Sequence, residues 1–389
     1  MRSSHACWPR LVLQSSVAIA AILTSTVSTA DDDEAFLDRL DSINLVASTV
    51  PADGDVNPYG VFIVPRSVGH LERGNILVSN FNDSANLQGT GTTIVQVTPK
   101  GAVTLFADIT ATSLGSSCPG GVGLTTALVV LRRGWVIVGS LPTTDGTSAT
   151  MSAGCLIVLD SDGHVVATFS GNGINGPWDM TVADRGERAA LFVTNVLNGD
   201  VSQGMPHVVN QGTVLRLDLD VPETGSGVPQ LKATTTIGSG FAETADPGAL
   251  VIGPTGVGLG EDGVLYVADS VNNRITAIPN ASSRQTSAST GNEVTRNGAL
   301  SDPLGLTIAP NGDIITANGN DGNLVETTPR GVQVAVKTVE TATGAGSLFG
   351  LAIARGRPTI YFVDDGDNTL KSFGGARDKS MDGDGDTGN

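Results

Sequence analysis

Short runs of apolar and β-branched residues alternate with polar turns along most of this chain, and the clearest instance spans Gly253 to Pro279. Val257, Gly258 and Leu259 form one run, which meets the turn Glu261-Asp262-Gly263. Val264 to Ala268 form a second run ending on Asp269-Ser270, and Val271-Asn272-Asn273 turns the chain into a third, Ile275 to Ile278. Runs this short, punctuated by Asp-Gly and Asn-Asn, predict antiparallel strands joined by hairpins. Helical periodicity is almost absent from the chain.

The same pattern recurs. Aligned on that stretch, a first strand opens at Pro58-Tyr59-Gly60-Val61, Pro119-Gly120-Gly121-Val122, Pro177-Trp178-Asp179-Met180, Gly253, Pro303-Leu304-Gly305-Leu306 and Leu348-Phe349-Gly350-Leu351. The second strand of each unit ends on a polar residue: Asn80, Ser140, Asn195, Asp269, Asn318 and Asp364. A third strand follows in every unit, and a fourth is visible after the first, second and fifth. Small antiparallel sheets repeating roughly every 40 to 75 residues predict the blades of a β-propeller. The sixth unit stops after its third strand, while Ile43 to Val50 is a spare strand-like run ahead of the first. The expected fold is therefore all-β, a six-bladed β-propeller closed by an N-terminal strand that completes the last blade and leaves no open sheet edge.

The Gly253–Pro279 stretch resembles an NHL repeat. The resemblance extends, more loosely, from about residue 43 to residue 374, and it implies architecture more than activity. Gluconolactonase-type propellers share that architecture and carry metal-binding Glu, Asn and Asp near the residue before the motif glycine. Here those positions read Tyr59, Gly120, Trp178, Thr255, Leu304 and Phe349, which are poor in the oxygen ligands a hard cation needs. Amidating-lyase propellers hold zinc with several histidines around the channel. In this chain His70 and His164 fall in turns expected on the far face, and His207 alone cannot make a zinc site.

In a four-stranded blade the start of the first strand and the end of the second share one face, here termed the entry face. The turns after the first and third strands share the opposite, far face. The polar residues ending the second strands therefore ring the channel on the entry face, where they either surround a ligand or cap the turns that follow them. Asp179, beside Trp178, stands where the five other units carry glycine, and such departures mark functional or strained positions. It either binds a cation or polar substrate or holds a neighbouring blade. The candidate cation is Ca²⁺ or Mg²⁺, with Asp179, Asn195, Asp269 and Asp364 as tentative ligands. Tyr59, Trp178, Asp179, Asn195 and Phe349 are the candidate ligand-binding residues. Loops after the second strands are long in blades 1 to 3 and short in blades 4 to 6, which predicts a cleft on the entry face.

Composition places the chain. Residues 1–30 read as a signal peptide, with Arg2 and Arg10, an apolar stretch from Leu11 to Val27, and a small-residue end at Ser28-Thr29-Ala30. The rival reading is a retained anchor. Residues 31–42 read as a linker, 43–374 as the propeller and 375–389 as a disordered acidic tail. In that tail Asp382, Asp384 and Asp386 imitate a calcium loop without its later ligands. Secreted or periplasmic placement follows, and with it a disulfide between Cys118 and Cys155. Twenty-two basic residues against 39 acidic ones leave a net charge of −17, and loss of Arg2 and Arg10 makes it more negative still. That charge opposes phosphate backbones and excludes nucleic acid as the expected partner. No Ser-centred elbow, zinc-protease motif or phosphate-cradling glycine loop is present. The expected function is a non-enzymatic binding platform at the entry face of blades 1 to 3, with a peptide, glycan or small molecule as partner and a monomer as its state. The rival is a metal-dependent lactonase- or lyase-type propeller enzyme.

Overall fold

The alternating runs pair as antiparallel sheets in the order in which they occur along the chain. The computed structural model describes Met1 and residues 34–374, except 116, 203–206, 342–346, 355 and 357. The expected signal peptide, apart from Met1, and the expected acidic tail lie outside those residues. Six sheets form, each led by an inner strand: Val56–Ile63, Leu124–Val130, Gly176–Asp184, Pro254–Leu259, Pro303–Ile308 and Leu348–Ile353. Nearly all-β, with six blades, the protein is a β-propeller.

Why apolar residues run continuously here, instead of alternating with polar ones, is clearest in blade 4. Successive side chains of the strand Leu265–Asp269 point to opposite faces of the sheet. Leu265 and Val267 pack with Phe192 and Val214 of blade 3, whereas Tyr266 and Ala268 pack with Leu306, Ile314 and Val325 of blade 5. Each sheet is thus buried on both faces, and every position in such a run contributes. Fully burying one Leu, Ile, Val or Phe is worth roughly 1.5–3 kcal/mol, so the ring is held by a succession of layers between blades.

Closure follows the expected route. The strand Ser42–Ser48 is the outermost of the last sheet and pairs antiparallel with Thr369–Gly374, Ile43 opposite Phe373 and Ser48 opposite Thr369. Part of the stretch expected as a linker is also built into the ring. Phe36–Arg39 forms a helical turn with Phe36 and Leu37 buried, and the Glu326 carboxylate of blade 5 accepts both of their N–H groups at 2.8 and 2.7 Å.

Two details differ from the sequence expectation. Blades 3 and 4 do have fourth strands, Gln230–Asp246 and Asn292–Arg296, the first extended by a short hairpin through Leu250–Ile252. Blade 2 begins later than Pro119. Its inner strand opens at Leu124 opposite Ser140, so the position equivalent to Tyr59 and Trp178 is held by Thr126 and the motif-glycine position by Ala127, not by Gly120 and Gly121. The Gly120-Gly121 pair instead serves a turn in which Gly121 adopts φ +98°. Cys118, just before that turn, is bonded to Cys155 at the start of the strand Cys155–Leu159, with Cα atoms 5.4 Å apart.

Candidate functional site

On the entry face the candidate aromatic residues come together, but as a plug. The rings of Tyr59 and Phe349 stack at 3.8 Å, Tyr59 also stacks on Phe81 at 4.5 Å, and Trp178 lies 6.3 Å from Phe349. All are buried, together with Leu304. The hairpin after blade 3 lies against them: Trp178 Nε1 donates to the Val251 carbonyl at 2.8 Å and the Tyr59 hydroxyl to that of Gly248. Leu250, at φ +62°, is buried in the same cluster as Ala249, Val251 and Ile252. The long loops of blades 1 and 2 bind one another, Thr143 donating its N–H to Gly89 and its hydroxyl to Gln88, while the Gln88 side chain reaches Pro247. Where the loop lengths predict a cleft, loops and hairpin interlock, because burying these aromatic faces removes more apolar surface from water than a hollow would.

The polar residues that end the second strands are all engaged with local structure, although the amide oxygens of Asn80 and Asn318 are buried without a partner. Asn80 donates to Thr49 and Thr93. Ser140 joins Gly121 to Gly123. Asn195 accepts from the N–H groups of Asn175 and Gly176 and donates to Gly173, Asn198 and Thr213. Asn318 donates to Ala299 and Asp321. Asp269, wholly buried, pairs with Arg274 at 2.7 Å and accepts from Asn272. Asp364 pairs at 2.5 Å with Lys371, which also meets Glu340 and Asp367. Burial raises the Asp364 carboxyl to about 6, helped by Glu340 and opposed by Lys371.

Asp179 sits one step further into the channel, 8% exposed. Its two carboxyl oxygens accept from Met180 N at 2.7 Å and from Val257 N of blade 4 at 3.0 Å. At the equivalent points of blades 1, 4, 5 and 6, a Cβ on Gly60, Gly256, Gly305 or Gly350 would come within 1.9–2.5 Å of its nearest neighbour, mostly backbone of the next blade. Between blades 3 and 4 the carboxyl fills that contact and ties the two inner strands together. Burial pushes it to about 8, against the pull of the two N–H donors, so at neutral pH it is chiefly the uncharged acid.

Below the plug the channel is hollow. A cavity of about 880 Å³ runs between the six inner strands from Asp179 to the far face. Its walls expose polar and apolar surface in nearly equal measure, the apolar part from side chains such as Val61, Ile63, Val182, Leu259, Ile308 and Ile353, and Arg66, Arg73 and Arg132 stand among its lining in turns of the far face. The Thr126 hydroxyl, in its wall at 4% exposure, has no hydrogen-bond partner. His70 and His164 also lie on that face, outside the cavity, near Asp162 and Asp160.

Three buried acids escape sequence reasoning. Burial raises Glu243 to about 7 although Asn198 and Gly199 donate to it, and its second oxygen has no partner. Burial, with the nearby charge of Asp246, raises Asp302 to about 7, and burial with Asp364 does the same for Asp365. No local motif marks them, since Glu243 is buried by a loop 44–45 residues away and Asp302 meets Asp246 of another blade.

The tentative cation ligands do not fit the ion. Asp179, Asn195, Asp269 and Asp364 are spent on backbone N–H groups, amides, Arg274 and Lys371, and among the described residues no group of three or more His, Cys, Asp or Glu side chains is placed to hold a metal.

These features define a six-bladed propeller with one plugged and one open channel mouth. Among solved structures it is similar to a gluconolactonase of Xanthomonas campestris, at 16% identity over 84% of this chain and 89% of that one, with a TM-score of 0.51. A luciferin-regenerating enzyme aligns at 12% identity over 86% of this chain and 96% of that one, with a TM-score of 0.53. Virginiamycin B lyase of Staphylococcus aureus aligns at 15% identity over 87% and 90%, with a TM-score of 0.47. At such identities the likeness is one of fold. No family model and no curated sequence matches the chain.

Proposed function

We propose that this protein is a non-enzymatic binding propeller, a distant NHL-like one, whose small-molecule ligand occupies the central channel. The observation that carries the reading is the cavity itself: about 880 Å³, walled by the inner strands, blind at Asp179 and open on the far face. That volume falls in the range of natural ligand pockets, about 300–1,000 Å³. The reading moves the binding surface from the entry face, where aromatic packing fills the mouth. Export to an oxidising compartment belongs to the same proposal and is supported by the Cys118–Cys155 bridge.

The test is titration of the full chain with the neutral probe N-phenyl-1-naphthylamine. Saturable binding at one site is expected, and it disappears when the lining residue Thr307 is enlarged in Thr307→Trp. The rival reading, a lactonase or lyase, takes its prompt from the fold neighbours alone. Ca²⁺-dependent hydrolysis of a sugar lactone that vanishes in Asp179→Ala, with the variant still folded, would replace the binding reading.

A further inference from the structure

The far-face mouth of the channel has a charge opposite to that of the molecule. Arg66 and Arg73 lie in the turn between the strands Val56–Ile63 and Ile76–Asn82, and Arg132 in the turn between Leu124–Val130 and Val136–Ser140. All three are exposed and line the cavity. None of the three guanidinium groups forms an ion pair among the described residues, although the chain carries 39 acids against 22 bases; the carboxylate that approaches the collar is Asp184, which accepts the backbone N–H of Arg132 at 2.6 Å. Some arginines elsewhere are matched, Arg133 with Glu187 and Glu223, Arg216 with Asp218, Arg274 with Asp269 and Glu293, whereas Arg185, Arg188, Arg284 and Arg330 also form no ion pair among the described residues; what sets Arg66, Arg73 and Arg132 apart is their convergence on the cavity. Among the described lining residues Asp179 is the sole acid, and it lies at the blind end with both oxygens accepting N–H groups.

Three guanidinium groups at the rim of the channel present a cationic collar above walls in which apolar side chains, among them Val61, Ile63, Val182, Leu259, Ile308 and Ile353, alternate with polar surface. Guanidinium donors match the geometry of a carboxylate, and the walls provide the surface that buries an aliphatic or aromatic body.

We infer that the channel binds an amphiphilic carboxylate, head group on Arg66, Arg73 and Arg132 and apolar body between the inner strands. This inference rests on the reading of the channel as a ligand site and adds the chemistry of the ligand. It is tested by calorimetric titration of the full chain with decanoate, decan-1-ol and decyltrimethylammonium, with the neutral naphthylamine probe as control. Decanoate binds at one site, more tightly than decanol, and decyltrimethylammonium does not bind. The variant Arg66→Gln/Arg73→Gln/Arg132→Gln changes exposed side chains only, and it weakens decanoate by about tenfold or more while leaving decanol and the neutral probe unchanged. Equal affinity for decanoate and decanol, or indifference of decanoate to the triple variant, overturns the inference and leaves the channel a neutral-ligand site. Failure of the neutral probe together with decanoate and decanol overturns the binding reading as well.

Discussion

Replacing Asp179 by asparagine isolates one buried proton. The carboxyl is 8% exposed and raised by burial from 3.8 to about 8. Between those two values the folded chain keeps a proton that the unfolded chain releases. The stability this proton confers is fully present below about pH 4 and is lost as pH rises through about 8. In that window the slope for one proton is about −1.4 kcal/mol per pH unit. Asparagine has similar shape and no such proton, so the other buried acids, Glu243, Asp302 and Asp365, cancel between the two proteins. Its amide sets an N–H₂ against one of the donors Met180 N and Val257 N, which costs a roughly constant 1–3 kcal/mol. Urea unfolding followed by tryptophan fluorescence at about pH 5, 6 and 7 gives the comparison. The stability of the natural chain minus that of Asp179→Asn should fall by about 2.7 kcal/mol across the series. Parallel profiles would show that Asp179 titrates in the folded chain as it does in the unfolded one, and the account of it as a buried neutral acid tying blade 3 to blade 4 would be refuted.

Other consequences are more direct. Reducing or replacing the Cys118–Cys155 bridge, whose cysteines are 37 residues apart, should lower stability by about 4 kcal/mol on the chain-entropy model, read from urea midpoints with the slope held fixed. Arg274→Ala leaves the wholly buried Asp269 charge without its partner and should cost roughly 3–5 kcal/mol; a loss under 1 kcal/mol would mean that the carboxylate is neutral or hydrated. Phe349→Ala opens the aromatic plug between Tyr59 and Trp178 and should cost about 3–5 kcal/mol, with Trp178 fluorescence shifted to the red as water enters from the entry face.

Some of this protein was written locally. The Val264–Ala268 and Ile275–Ile278 runs, with the Asn-Asn turn between them, prescribe paired strands because hydrogen bonding across a hairpin involves residues close in sequence. The spare run at Ile43 and the missing strand after Phe373 together prescribe closure, since a ring leaves no unpaired edge. Even the turn-capping role of Asn195 and Asp269 is a matter of neighbours a few residues away. What the chain alone left open is which mouth of the channel is closed. Tyr59 meets Gly248 across 189 residues and Trp178 meets Val251 across 73, and no pattern of local periodicity encodes such encounters. The partner of Asp179 was equally hidden, because it is a backbone N–H whose position depends on the spacing of two blades. The sheets follow from short-range alternation, whereas the site follows from how six of them meet around an axis, a packing problem solved only once the ring has shut.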